Sequence, residues 1–460
     1  MENGKAIALA IICFLQPYIL FALSPEDAFF QKTKSGNRCL ITERIDLGGA
    51  SIPLHDVASI CFSGDGAISN GILIGNDTRI SRESSAPVFS NVRLEGSWSG
   101  FCSDDFFMND PGPEDDWDLV SSVMKFNDVT FHCVDYYLAW EPILMNSGDV
   151  TVNGNGVRFH VASDKGSSRI TAWGRRYDKE CLFSSRTSGG RFRMADIRIL
   201  DNSSMDPDFG SDVSAVVPYL YYYLAPTQAT VELYNVDSDG QGSLLEIYNY
   251  RQNITKVVMR DCDIRTSQFA VEIANVKKED STGHTDLFIC EGCSFFRYPN
   301  AILCGPVSLV GVDGGMDMVV FNDCVLVESN AGNIEMSGVR NAVFSSNICT
   351  NLCFYDGDNP PELMTCSGNI LNLVEIEDRK KGRSLGLSGE KLLVRGNTVN
   401  VMEEGYPTLV VAFPHKVRTL RLVDNEIHYY PGRKRDSVER LIRIDVPKNR
   451  VVSKNNIVLQ

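Results

Sequence analysis

Three stretches share one pattern: Val257-Val-Met-Arg-Asp-Cys262-Asp-Ile264, Phe288-Ile-Cys-Glu-Gly-Cys293-Ser-Phe295 and Val319-Val-Phe-Asn-Asp-Cys324-Val-Leu326. Apolar and outward residues alternate, a turn residue interrupts them, a small residue follows, and alternation resumes. Period two is the signature of a strand. The slip at Asp261, Gly292 and Asp323 marks a bend, because these residue types tolerate the left-handed backbone of a sharp corner. The frame continues through Asn347, Asn369, Asn397, Asn425 and Asn456, and backward it fits Val236, Ile197, Val157, Val129 and, more loosely, Val92. From Cys262 onward the spacings are 31, 31, 23, 22, 28, 28 and 31.

A constant corner separated by variable lengths describes coils with loops inserted into them. Stacked coils pair each strand with its equivalent about 4.8 Å away, so all pairing is parallel. After the corner, Ile264, Phe295, Leu326, Leu371, Val399, Ile427 and Val458 are expected to point inward. At the ladder position Asn can link neighbouring turns through its side-chain amide, and Cys or Val can fill the same slot apolarly. An antiparallel sandwich or a propeller would show hairpin turns and no single column.

On these residues the chain resembles the pectin-lyase-like superfamily. The internal asparagine ladder from Asn347 to Asn456, continued by Cys262, Cys293 and Cys324, carries the resemblance, which covers residues 38–460. The segment from Leu40 to Ile80 looks like the entry coils of secreted bacterial members. The resemblance implies an all-β fold, a single-stranded right-handed parallel β-helix (solenoid) with long loop insertions in its N-terminal half. It implies no single activity, because the superfamily includes lyases, hydrolases, phage tailspikes and adhesins. Many such proteins are trimers, so a homotrimer is among the partners it suggests.

Length and composition agree with a repeat array. The chain has 460 residues, 43% of them hydrophobic, with 37 glycines for tight turns. A net charge of −15 argues against sequence-independent nucleic-acid binding, which needs a basic surface. Lys5 followed by an apolar run to Leu23 reads as a secretory signal over residues 1–24, leaving 25–37 as a linker. The chain is therefore expected to be secreted or at the cell surface, with no membrane span after signal removal. Of the 14 cysteines, Cys290 and Cys293 have the spacing of a zinc half-site. Both fall on inward positions, which makes them buried thiols, and no metal centre is expected.

Loops on a rigid scaffold usually carry function. The ladder gaps from Val92 to Val129, Val157 to Ile197 and Ile197 to Val236 are 37, 40 and 39, so the N-terminal coils carry the insertions. The first is acidic, with Asp104, Asp105, Asp110, Glu114, Asp115, Asp116 and Asp118. It reads as a solvated loop, with calcium the ion such carboxylates would take. The second, with Trp173, Arg175, Arg176 and Tyr177, suits an anionic glycan, since guanidinium groups grip carboxylates and aromatic faces stack on sugars. Pairing with the acidic insertion is the alternative. The third contains Tyr222 in a tyrosine run, a sugar platform or an apolar flap.

The residue after the ladder position should face outward. It is Arg158, Arg198, Asp237, Asp263 and Ser294 in successive coils. Asp237 and Asp263 would be neighbours with Arg198 one coil away. Paired carboxylates push one pKa upward, as acid–base cleavage of a glycoside or lyase chemistry on a uronate requires. A surface ladder of opposite charges, worth little energetically, is the alternative. The sequence thus supports a β-helix that binds carbohydrate, an acidic polysaccharide above all, or serves as a scaffold. The second reading is a polysaccharide lyase or glycoside hydrolase with Asp237, Asp263 and Arg198 as catalytic residues and Arg158 in the binding site.

Overall fold

The computed structural model describes residues 24–108, 116–139, 143–146, 148–162, 182–185, 190–201, 218–223, 229–240, 243–249, 253–266, 270–275, 283–297, 310–327, 332–350, 352–355, 361–373, 385–387, 389–401, 409–411, 414–429, 442–443 and 446–459. The chain divides into two compact units, Met1–Trp98 with Phe106–Asn109, and Ser99–Asp105 with Asp110–Gln460. The expected signal over residues 1–24 lies outside the described residues except for Ser24.

In the first unit the stretch expected as a linker holds helix α1 (Pro25–Thr33). Ser24 caps it, its Oγ accepting the Asp27 amide at 3.0 Å, with proline at the first position and acidic residues in the first turn. Phe29 buries the helix against its own unit. The strand Arg38–Ile41 pairs in parallel with Ser59–Phe62, which pairs with the end of the long strand Ala67–Arg82. Arg44–Asp46 and Ser51–Pro53 pair in parallel with earlier parts of that strand.

The second unit is one sheet of strands, each paired in parallel with its equivalent in the next turn of the chain. Asp263–Thr266 pairs with Ser294–Arg297, which pairs with Val325–Val327 and so on to Ile457–Leu459. Stacked parallel turns with an apolar interior are consistent with a β-helix. Ile264, Phe295, Leu326, Leu371, Val399 and Ile427 are buried as expected, and the Val458 side chain lies outside the described residues.

The corner is built as its residue types require. Asp196, Asn235, Asp261, Gly292, Asp323, Ser346, Gly368, Gly396, Asp424 and Asn455 all have φ between 51° and 65°, the left-handed region that favours Gly, Asn and Asp. Inside the corner the Asn ladder is continuous. The amides of Cys324, Asn347, Asn369, Asn397 and Asn425 donate at 2.9–3.1 Å to the Oδ1 of the Asn one coil later. Each Nδ2 from Asn347 to Asn456 also donates to a carbonyl of the preceding coil, at 2.9–3.2 Å.

The thiol segment keeps the same wiring. The amides of Val236, Cys262 and Cys293 point at the sulfur of the next cysteine in the column. Cys262 Sγ reaches the Leu233 carbonyl at 3.9 Å and Cys324 Sγ that of Cys290 at 3.5 Å. These carbonyls are the counterparts of those that receive the Asn amides. Cysteine therefore substitutes for asparagine as a weak donor and acceptor, and not only as apolar filling.

One ladder assignment needs correction. Val129 stands in register with Val152 and Cys102, not with Val157. The residue opposite the outward Arg158 is Asp135. The frame slips because the strand Asp128–Thr130 stops before Asp135–Ala139 begins. The next coil also spends extra residues between Asn153 and Val157, where its register shifts. The gap lengths measured to Val129 are displaced accordingly.

Candidate functional site

The column after the corner is as expected. Arg158 pairs with Arg198, and Arg198 with Asp237. Asp263 lies one coil beyond Asp237, its amide donating to Asp237 Oδ1 at 2.9 Å, and it pairs with Ser294. The structure adds Asp135 at the head of the column. The row therefore runs Asp135, Arg158, Arg198, Asp237, Asp263. Two positions on along the same face runs a second row, Tyr137, His160, Leu200, Asp239, Arg265.

At the head of the two rows Asp135 holds both of its basic neighbours. Arg158 Nε and Nη2 reach its carboxylate at 2.8 and 2.6 Å, and His160 Nε2 lies 2.7 Å away. These hydrogen bonds hold the Asp135 carboxyl below its usual range. The Tyr137 ring stacks on the His160 ring, with centroids 4.8 Å apart. Arg158, expected to bind substrate, is thus already gripped in the fork geometry of a guanidinium–carboxylate pair.

Arg198 differs. It is exposed, and among the described residues it makes no hydrogen bond or ion pair. The other arginines around it are engaged: Arg191 with Glu232, Arg260 with Glu291 and Arg265 with Asp263, and Arg193 over the Tyr234 ring. Beside Arg198, the Asp237 carboxyl is pushed above its usual range. Burial is the main cause and the Asp263 charge adds to it, while the Asp263 amide and the Arg198 and Arg265 charges oppose it. In the later coils the outward residue's amide bonds to the carbonyl of the preceding ladder residue, as Ser294 does to Cys262. At Asp263 the Asp237 side chain takes that amide instead, so Asp237 has a backbone role as well.

The insertions fall mostly outside the described residues. Trp173, Arg175, Arg176 and Tyr177 lie there. Tyr222 belongs to the strand Pro218–Tyr223, in register with the buried Ile247, whereas Tyr221 and Tyr223 share a column with Glu246 and Tyr248. The acidic insertion is not simply solvated. Asp104 is buried and accepts the amides of His132 and Cys133 and the Tyr136 hydroxyl, at 2.6–2.9 Å. Asp116 accepts the Tyr137 amide at 2.8 Å, just before helix α2 (Trp117–Val123). One ligand atom each from Asp104, Asp105 and His132 lie within 4.8 Å of one another, and likewise from His284, Asp286 and Asp317. In the first group both Asp104 oxygens are already engaged by protein donors.

Sequence reasoning missed one titratable pair. Glu246 and Glu272 stand in register on adjacent coils, on a strand remote from the ladder corner. Glu246 is 1% exposed, and among the described residues its Oε1 has no hydrogen-bond partner. Burial, reinforced by the Glu272 charge, pushes its carboxyl well above the usual range. No protein-family model, curated protein or solved structure matches this chain. Among the described residues no helix is long and apolar enough to cross a membrane.

Proposed function

We propose that the chain is a single-stranded right-handed β-helix of the pectin-lyase-like kind, secreted or held at the cell surface, which binds an acidic polysaccharide. Export rests on the N-terminal apolar run, and the glycan on the outward face after the corner. The observation that carries the reading is Arg198, an exposed guanidinium that makes no hydrogen bond or ion pair among the described residues, where the arginines around it are engaged. A uronate carboxylate is the complement that fits it, and the Tyr137–His160 stack nearby offers an aromatic face for a sugar ring.

Binding of polygalacturonate to the full chain, followed by calorimetry at low salt, tests this. Arg198→Ala is expected to weaken binding roughly tenfold, the loss of about 1.4 kcal/mol of charge-assisted hydrogen bonding. Arg260→Ala, which removes a paired guanidinium, should leave binding unchanged. Equal affinity of Arg198→Ala and the unaltered chain sinks the reading.

The raised Asp237 carboxyl beside Asp263 favours a second reading, in which the same face cleaves the polysaccharide with Asp237 as the proton-carrying group. Release of unsaturated or reducing ends, abolished in Asp237→Asn and Asp263→Asn, is its signature. Binding without any such release leaves only the first reading.

A further inference from the structure

Four cysteines meet in the core of the second unit. Cys262, Cys293 and Cys324 occupy successive ladder slots, since Asp263 pairs with Ser294 and Ser294 with Val325. Cys290 enters from the strand before the corner, three residues ahead of Cys293. All four are buried and reduced. Their contacts are not equivalent: Cys293 Sγ lies within hydrogen-bonding reach of the thiols of Cys262, Cys290 and Cys324 and also receives the Cys262 amide. In hydrogen-bonding reach, Cys262, Cys290 and Cys324 each have Cys293 as their thiol partner.

Stacked parallel strands bring equivalent Cα atoms to about 4.8 Å, inside the roughly 4.4–6.8 Å that a disulfide spans. The tight bend between Cys290 and Cys293 offers a third pairing. Cys293 is central to the set, one coil from Cys262 and from Cys324 and three residues after Cys290, so each of these pairings includes it.

We infer that Cys293 is the obligate member of a single intrachain disulfide, closed with Cys262, Cys290 or Cys324 when the chain folds in the presence of a small-molecule disulfide. The Cys293 thiolate attacks the oxidant, forming a mixed disulfide and releasing one thiolate of the small molecule. The thiolate of a neighbouring cysteine then attacks the Cys293 sulfur and expels the second. Two protein thiols lose two protons and two electrons, and one small-molecule disulfide becomes two thiols. The remaining two cysteines stay reduced beside the bond, so exchange can move it among the three pairings but cannot add a second. The closed core shuts out the oxidant, which places the reaction during folding.

The full chain is refolded from denaturant with oxidised glutathione, acid-quenched, alkylated and mapped as tryptic peptides. The expected map shows one disulfide within this set, always containing Cys293, with the other two cysteines alkylated. Cys293→Ser should leave Cys262, Cys290 and Cys324 all alkylated, whereas Cys262→Ser should still form a bond through Cys293. Full alkylation of all four in the unaltered chain overturns the inference. So does a bond joining two of the others without Cys293, or one from Cys293 to a cysteine outside the set. The unaltered chain decides the matter even if a variant fails to fold.

Discussion

Replacing Asn397 by alanine removes four N–H hydrogen bonds from the interior, besides the weak one its Oδ1 accepts from Cys366 Sγ at 3.8 Å. Its Oδ1 accepts the Asn369 amide at 3.0 Å and Asn369 Nδ2 at 2.9 Å, while its Nδ2 donates to Asn425 Oδ1 and to the Cys366 carbonyl, both at 2.9 Å. Two buried donors would lose their acceptor: the Asn369 amide and one Asn369 side-chain N–H. Each such group costs about 1–3 kcal/mol. Water entering the space left behind relieves part of this, so a loss of about 3–5 kcal/mol is expected. The wiring at Cys293 and Cys324 supplies the control. A cysteine at 397 can accept the Asn369 amide and donate weakly to Cys366, so Asn397→Cys should lose only about 1–2 kcal/mol. In a stacked array the effect concentrates on neighbouring turns. Hydrogen exchange of the peptide carrying the Asn369 amide, read beside urea unfolding, is the suitable assay. Protection there should fall by roughly 100-fold or more in Asn397→Ala, at about 1.4 kcal/mol per tenfold. A loss under about 1 kcal/mol, or a cysteine variant no better than the alanine one, would refute the reasoning.

Glu246 gives a pH prediction. Its folded carboxyl titrates well above the ordinary range, so its contribution to stability is complete in acid and fades as pH rises through that raised value. Glu246→Gln should raise the urea midpoint at neutral pH and leave it near unchanged in acid; a midpoint lowered at neutral pH contradicts this. Asp104→Ala removes the acceptor of two amides and the Tyr136 hydroxyl, with an expected loss of about 3 kcal/mol, seen as a lower melting temperature and a change in near-ultraviolet dichroism. For the proposed glycan site, affinity should fall as salt is raised, and the fall should be shallower in Arg198→Ala. A salt-independent affinity would remove the electrostatic basis of the site.

The fold was legible wherever a side chain repeats one task in every coil. Asn347 through Asn425 and Cys262 through Cys324 stand inside because their slot faces the core, where a side chain can bond the neighbouring coils or, as at Ile197 and Val236, fill it apolarly. The residues before them had to be left-handed, and their types announced it. Val129 misled because the surplus residues around Gly154 and the break before Asp135 restart the alternation without a visible signal. The outward column was readable from the same frame, yet Asp135 joined it only through register. Glu246 was hidden because the alternation in Ser243-Leu-Leu-Glu-Ile247 marks it as outward, and alternation cannot say whether an outward face is covered. Asp104 was hidden because three of its four hydrogen bonds are to main-chain N–H groups, which no side-chain pattern reveals.

The asparagine column has a sense of direction. Every main-chain N–H in it leans on the coil that follows, as Asn369 leans on Asn397 and Asn397 on Asn425. Side-chain N–H groups run the other way, as Asn425 Nδ2 donates back to the Val394 carbonyl, so loss of one turn strands a main-chain donor in the turn before it and a side-chain donor in the turn after it. Injury to one coil is therefore felt on both sides, through the backbone of its predecessor and the side chain of its successor.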